Sequence, residues 1–80
     1  MKNENTKLLE DFKRKYITNN KNIKKKVLTN NAAYEGEIVN KKPNGKGIFI
    51  FESGETYFGD FVEGSFHGSG TYIFNVFYIY

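Results

Sequence analysis

Apolar and polar residues alternate along the chain from residue 34 onwards, and this alternation predicts β-strands. In the first stretch Tyr34 and Ile38 fall on one face, while Glu35 and Glu37 fall on the other. A period of two residues is that of a strand with one face buried. The same alternation recurs three times. The sequence therefore predicts an antiparallel meander of four strands, near residues 33–40, 46–52, 56–62 and 69–76.

Turn residues separate these stretches. Residues 41–45 contain Asn44-Gly45, and residues 64–68 begin and end with glycine. Asparagine and glycine tolerate the positive φ angles of hairpin turns. We therefore expect hairpin turns at 41–45 and 64–68, with Ser53-Gly54 turning the chain between the two hairpins.

The N-terminal part has a different period. Its apolar residues fall at i, i+1, i+4, i+8 and i+9: Leu8, Leu9, Phe12, Tyr16 and Ile17. This spacing predicts an α-helix near residues 6–18 with one apolar face. We expect that face to cover an open end of the sheet; the alternative is a partner's helix or groove. A shorter stretch follows, with apolar residues at Ile23, Val27 and Leu28. Their spacing fits either a weak helix or an extended segment.

From Tyr34 the sequence repeats itself with a period of 23 residues. Between residues 34–56 and 57–79, seven of the 23 aligned pairs are identical, four of them pairs of glycines or tyrosines: Tyr34/Tyr57, Gly36/Gly59, Gly45/Gly68 and Gly47/Gly70. A fixed period of this length indicates a repeat architecture.

Glycine at fixed strand positions requires an explanation, because glycine weakens a strand. We expect an aromatic ring of the adjacent strand to lie over Gly36 or Gly59, so that the hairpins stack through a dense core. The predicted buried face carries the alternating apolar positions of all four strands: Tyr34, Ile38, Phe49, Phe51, Tyr57, Phe61, Tyr72 and Phe74. This pattern describes packing and contains no catalytic chemistry.

Charge divides the chain near residue 30. Residues 1–30 carry nine basic and three acidic side chains, a net charge of +6, whereas residues 31–80 carry three basic and six acidic ones, a net charge of −3. All eight glycines lie in the second part. We therefore expect a basic N-terminal segment with an amphipathic helix at 1–30, and repeats at 31–80, in two units over 34–56 and 57–79.

The composition argues against an enzyme. The 80 residues include no cysteine and one histidine, so neither a thiolate metal site nor a nucleophile–histidine pair is expected. His67 lies in a predicted turn, and its expected role is structural. We expect no catalytic residue, metal, cofactor, small-molecule substrate or nucleic-acid partner. With no apolar run of membrane-spanning length, the chain is expected to be intracellular, cytoplasmic and soluble.

The repeat resembles the MORN repeat, the "membrane occupation and recognition nexus" motif, whose pattern is Tyr-x-Gly-x-Trp, a turn, and His-Gly-x-Gly before an aromatic-bearing strand. The second unit matches in two blocks, Tyr57-Phe58-Gly59-Asp60-Phe61 and His67-Gly68-Ser69-Gly70-Thr71-Tyr72. The first unit matches with departures: Lys41 replaces the usual glycine, and Ile38 the tryptophan. Residues 1–30 lie outside the resemblance.

The resemblance implies a mainly β fold with hairpin repeats and a non-catalytic scaffold or protein-interaction module in a cytoskeletal, ciliary or membrane-associated assembly. Its structural positions here are Tyr34, Gly36, Gly45, Gly47, Tyr57, Gly59, Gly68 and Gly70. The partner is expected to be another protein or a second copy. The alternative is a peripheral membrane or phosphoinositide-binding module, with candidate lipid contacts at Lys24, Lys25, Lys26, Lys41, Lys42 and Lys46.

The C-terminal run 73–80 carries no charge and no proline, which is the profile of an aggregation-prone strand edge. Tyr80 stands where a third repeat would begin. We expect this edge to be covered by the N-terminal helix, a second copy or a partner chain; in a longer array the next repeats would cover it instead.

Overall fold

The computed structural model describes residues 4–28 and 30–74. An α-helix, α1, covers Glu4–Phe12 and continues as a π-helical segment over Lys13–Ile17. Five strands follow in a single sheet: β1 Ile23–Val27, β2 Ala33–Val39, β3 Lys42–Ile50, β4 Thr56–Val62 and β5 Ser65–Ile73. The strands pair antiparallel in chain order, with β1 and β5 at the two edges. This confirms the predicted mainly β meander with an N-terminal helix.

The predicted number of strands is wrong, because residues 23–27 are extended. Ile23 pairs with Glu37, and the register continues to Val27 opposite Ala33. Lysine favours strands weakly, so the local sequence predicts β1 poorly, and pairing with β2 decides its conformation. The three lysines of β1 are exposed. The division of the chain near residue 30 stays a prediction.

Both predicted hairpin turns are also wrong. The chain reverses in two residues, at Asn40-Lys41 (φ 53° and 69°) and at Glu63-Gly64 (φ 48° and 90°). Positive φ at both central residues is the geometry of a type I′ turn, whose twist matches the flanking strands. Gly45 (φ 97°) and Gly68 (φ 61°) instead lie inside β3 and β5.

A bulge explains why a glycine stands inside each of these strands. Gly36 pairs with Gly47 and Ile38 with Pro43, so β3 has two more residues than β2 over this span. The corresponding irregularity in the second hairpin lies between Gly59 and Asp60. Extra residues in one strand require unusual backbone angles, which glycine supplies.

The helical part packs on one face of the sheet. Ile17 is buried with Ile48, Phe58 and Ile73, which come from β3, β4 and β5. The rings of Phe12 and Phe58 lie 5.1 Å apart. The expectation that the helix covers an open end of the sheet is therefore wrong: it covers a face, because its apolar stripe meets the apolar positions that alternate inward from three strands.

The opposite face carries the aromatic cluster. Tyr34, Tyr57 and Phe61 are buried there, with the remaining half-buried members packed around them: Ile38, Phe49 and Phe51. The predicted shared face is confirmed for these six residues. Tyr72 and Phe74 continue this face but are exposed at its rim, so their predicted burial is wrong. They follow the bulge on β5, the last strand that the structure describes. The rest of the predicted C-terminal edge, residues 75–80, lies outside the described residues.

Candidate interaction surface

A row of four glycines crosses the sheet perpendicular to the strands. Gly36 pairs with Gly47, Gly47 with Gly59, and Gly59 with Gly70. The Tyr34 ring lies over Gly47, where an added Cβ would come within 2.5 Å of the ring carbons Cε1 and Cζ. The Tyr57 ring covers Gly70 in the same way. Each tyrosine therefore packs against the glycine of the neighbouring strand.

The expected positions of these rings are wrong. At Gly36 and Gly59 an added Cβ would lie 2.5 Å from the Cα of Gly47 and Gly70 respectively, so the opposing backbone limits both positions. At Gly36 the added Cβ would also meet the hydroxyl of Tyr34, which belongs to the same strand. The rings lean across to β3 and β5 instead. All four glycines remain sites of close approach, for two different reasons.

The two buried tyrosines make the same hydrogen bond in each repeat. The Tyr34 hydroxyl donates to the Glu37 carbonyl at 2.8 Å, and the Tyr57 hydroxyl donates to the Asp60 carbonyl at 3.1 Å. Burial raises the pKa of the Tyr34 phenol, and the nearby charge of Glu37 raises it further. The phenols thus bind the backbone of β2 and β4 beside the bulges of β3 and β5, and they are not exposed for chemistry.

An aromatic patch continues this cluster towards the β5 edge; it consists of half-buried Phe51 and three exposed rings, Phe66, Tyr72 and Phe74. Phe66 is 45%, Tyr72 40% and Phe74 65% exposed. Ring centroids of successive members lie 6.1 Å (Phe51–Phe66), 5.7 Å (Phe51–Tyr72) and 4.6 Å (Tyr72–Phe74) apart. The rings therefore form one surface, which we call the aromatic patch.

Two members of the patch are fixed by further contacts. Phe66 stacks on Tyr57 at 4.2 Å with the rings inclined by 20°. The Tyr72 hydroxyl donates to Glu55 Oε1 at 2.8 Å, and this hydrogen bond raises the pKa of Tyr72. The sequence prediction missed Phe66, because it placed this residue in a turn. The Glu63-Gly64 pair, a two-residue turn ending in glycine, could have placed Phe66 in a strand.

The candidate lipid-contacting lysines do not form one surface. Lys24 and Lys26 lie opposite Gly36 and Tyr34 in β2, whereas Lys25 lies opposite Glu35, so they alternate between the faces of the sheet. The Lys25 ammonium is 4.0 Å from the Glu35 carboxylate. Lys41 and Lys42 are exposed at the β2–β3 turn.

Lys46 has a structural partner. Its Nζ lies 2.6 Å from Asp60 Oδ1 and 4.8 Å from the centroid of the Tyr16 ring. Its backbone N–H donates to Glu37 Oε1 at 2.7 Å. The hydrogen bond to Asp60 raises the pKa of Lys46. This lysine thus joins the π-helical segment to β3 and β4.

In the part of the chain that the structure describes, no group of three His, Asp or Glu side chains could hold a metal ion. His67 lies in β5, opposite Asp60, and not in the predicted turn. None of the helices described is long and apolar enough to cross a membrane.

Comparison with known proteins identifies the repeats. The family model of the MORN repeat matches residues 34–56 and 57–75, which is half of the chain. Over 41 residues the chain is 42% identical to a protein of Plasmodium berghei (strain Anka) named "Inactive protein tyrosine kinase pTKL". The aligned segment covers 50% of this chain and 3% of that protein. The chain belongs to the MORN-repeat family.

Proposed function

We propose that this chain is a non-catalytic protein-interaction module, a scaffold element of a cytoskeletal, ciliary or membrane-associated assembly in the cytoplasm. In this proposal residues 31–80 form the interacting repeats and residues 1–30 support them. The observation that carries the proposal is the aromatic patch on the face opposite the helix.

The patch has the composition of a binding surface. Aromatic side chains are enriched in protein interfaces and supply much of their binding energy. Single exposed apolar residues are common, but contiguous apolar patches mark interaction sites. Here Phe66 is held by stacking on Tyr57 and Tyr72 by its hydrogen bond to Glu55. Rings that are already fixed lose little conformational entropy when a partner binds.

The family and the relative support the absence of catalysis. The two tyrosines and the row of four glycines are engaged in packing. The other two repeat glycines, Gly45 and Gly68, lie in the bulges with positive φ. The relative from Plasmodium berghei is named an inactive kinase, and this chain spans only 3% of it. A packing motif embedded in a much longer protein fits a role in assembly.

A pull-down with mass spectrometry tests the proposal. The full chain is compared with Phe74→Asp, which places a charge in the patch, and with Val27→Asp, a matched control on the exposed strand β1. We expect the same set of proteins to be captured by the native chain and by Val27→Asp, and to be lost with Phe74→Asp. Capture of that set by both variants would contradict the proposal.

A second candidate function is binding to an anionic membrane surface. Exposure of Lys24, Lys26, Lys41 and Lys42 favours it. Each lysine near such a surface contributes about 1 kcal/mol, so binding would be weak and sensitive to salt. Vesicle co-sedimentation across a salt series tests this: a lysine-mediated contact is lost at high salt and in vesicles without anionic lipid, whereas binding that persists in neutral vesicles excludes it.

A further inference from the structure

No strand described by the structure pairs with the outer side of β5. Among the described residues β5 pairs with β4 alone, whereas β2, β3 and β4 each pair on both sides. We call the outer side of residues 68–73 the open edge. A strand edge carries backbone N–H and C=O groups that can receive another strand.

The open edge is a copy of an edge that already receives a strand in this molecule. Residues 45–50 of β3 stand 23 positions before residues 68–73, and they pair with β4 from Gly45 opposite Phe61 to Ile50 opposite Thr56. Each of the two strands follows a type I′ turn and contains a bulge. The open edge therefore presents the backbone arrangement that β3 offers to β4.

The two edges of the sheet differ in charge. β1 carries Lys24, Lys25 and Lys26, and lysines on an edge strand oppose pairing with another chain. β5 contains no Asp, Glu, Lys or Arg. Of the two edge strands that the structure describes, β5 is thus the one without lysines that oppose pairing, and the aromatic patch lies on its side of the sheet.

The pairing of β3 with β4 also defines the partner's chemistry. Gly59 lies opposite Gly47, and Tyr57 lies opposite Phe49. In the open edge, Gly70 is the equivalent of Gly47, and Tyr72 is the equivalent of Phe49. We propose that the open edge binds, in antiparallel alignment, an aromatic-x-glycine β-strand on a partner chain that carries a repeat of this type. The proposal rests on the proposed function, since it assigns the partner of the same surface.

A second copy of this chain does not meet this requirement. The sequence has three aromatic-x-glycine stretches, and those in β2 and β4 are already paired on both sides. The third, Phe66-His67-Gly68, lies at the bulge of β5, where Gly68 has φ 61° and stands outside the register with β4. Among the described residues, the free edges of a second copy are therefore β1, which carries the lysines, and β5, whose Gly70 has no aromatic residue two positions before it.

Hydrogen-bond alternation shows which amides would bind the partner. The Phe51 N–H donates to the Glu55 carbonyl at 2.8 Å, on the β4 side of β3. Because amides alternate between the two sides of a strand, Phe49 and Gly47 also face β4. By the repeat, the amides of Tyr72 and Gly70 face outward from β5. An incoming aromatic residue opposite Tyr72 would then pack beside the aromatic patch.

Fluorescence anisotropy with a labelled peptide tests the proposal on the full chain. The peptide has the sequence of residues 55–63, which contains Tyr57-Phe58-Gly59. A scrambled peptide of the same composition is the control. We expect saturable binding of the first peptide and at least about tenfold weaker binding of the second. Equal binding of the two peptides, or none, would overturn the proposal.

Two variants at position 72 locate the contact. Tyr72→Val and Tyr72→Pro both remove the ring, but only proline removes the outward N–H. Because proline is tolerated where an edge N–H faces outward, the β4–β5 ladder is retained. We expect Tyr72→Pro to bind the peptide about tenfold more weakly than Tyr72→Val. Equal affinities would place the peptide elsewhere and overturn the assignment.

Disulfide trapping tests the register without depending on the proline variant. The chain has no cysteine. A peptide with Tyr57→Cys should trap Tyr72→Cys, since directly opposed residues lie within disulfide range. It should not trap the exposed control Ser53→Cys. Equal trapping at both positions, or trapping only between two copies of the chain, would overturn the proposal.

The peptide and pull-down experiments distinguish this proposal from the proposed function. If the peptide does not bind but Phe74→Asp still loses the captured proteins, the open edge is not the binding site, and the proposal of a protein-interaction module is retained.

Discussion

The contact between Tyr34 and Gly47 offers a direct test of how the repeats pack. An alanine Cβ at position 47 would come within 2.5 Å of Cε1 and Cζ of the ring. The ring cannot move away easily. Tyr34 is 2% exposed, its hydroxyl is bonded to the Glu37 carbonyl, and it meets Phe61 edge-on at 5.1 Å. Overpacking of this kind costs about 1–3 kcal/mol.

Alanine also has a favourable effect, because it loses less backbone conformational entropy than glycine when the chain folds. This difference stabilises the folded state by about 0.5–1 kcal/mol. We therefore expect Gly47→Ala to lower the free energy of unfolding by about 1–2 kcal/mol. In a domain of this size the melting temperature would fall by about 5–15 °C. Thermal unfolding followed by circular dichroism and urea titration both measure this change.

A double-mutant cycle separates the ring contact from other effects of alanine. Tyr34→Leu removes the atoms that the new Cβ would meet, so Gly47→Ala should cost nothing, or stabilise slightly, in that background. The expected coupling is about 1–2 kcal/mol. An equal cost of Gly47→Ala in both backgrounds, or no cost in the native chain, would refute the assignment of this contact.

Three further predictions concern a turn, the helix and a buried phenol. Lys41→Gly should raise the free energy of unfolding by about 0.5–1 kcal/mol, because Lys41 has φ 69° and its equivalent is Gly64; an unchanged urea midpoint would contradict this. Ile17→Ala should cost about 2–4 kcal/mol, and the half-exposed control Leu8→Ala less than about 1 kcal/mol, if the helix packs on the sheet. Because the pKa of Tyr34 is raised in the folded chain, the unfolded chain loses the phenol proton at a lower pH than the folded chain does. The free energy of unfolding should therefore fall as pH rises above about 10, and it should fall less steeply in Tyr34→Phe; an equally steep fall in both chains would refute this.

The features that were predicted correctly from the sequence are those in which apolar residues recur at a regular spacing within one element. The amphipathic helix follows from apolar residues such as Phe12 and Ile17, and the strands from the alternation around Tyr34 and Tyr57. The glycine–tyrosine spacing correctly indicated close packing. The strand that each ring would cover could not be predicted, because the lean of a side chain across a sheet depends on twist and bulges.

The errors have a common physical origin in non-local pairing. Asn44-Gly45 satisfies the local rule for a hairpin turn, yet the chain turns at Asn40-Lys41, because the register of β2 and β3 determines where it reverses. The same error placed Phe66 in a loop and removed it from the predicted aromatic surface. β1 was left open because its lysines favour no structure locally, and pairing with β2 decides its conformation.

Residue-resolved amide hydrogen exchange tests the central claim, an open β5 edge that accepts a strand. In the free chain the amides of Gly70 and Tyr72 should exchange quickly, while those of Thr71 and Ile73, which face β4, should exchange slowly. Adding the peptide of residues 55–63 should slow exchange at Gly70 and Tyr72 and leave Thr71 and Ile73 unchanged. Protection of Gly70 and Tyr72 in the free chain, or fast exchange that the peptide does not alter, would contradict the claim.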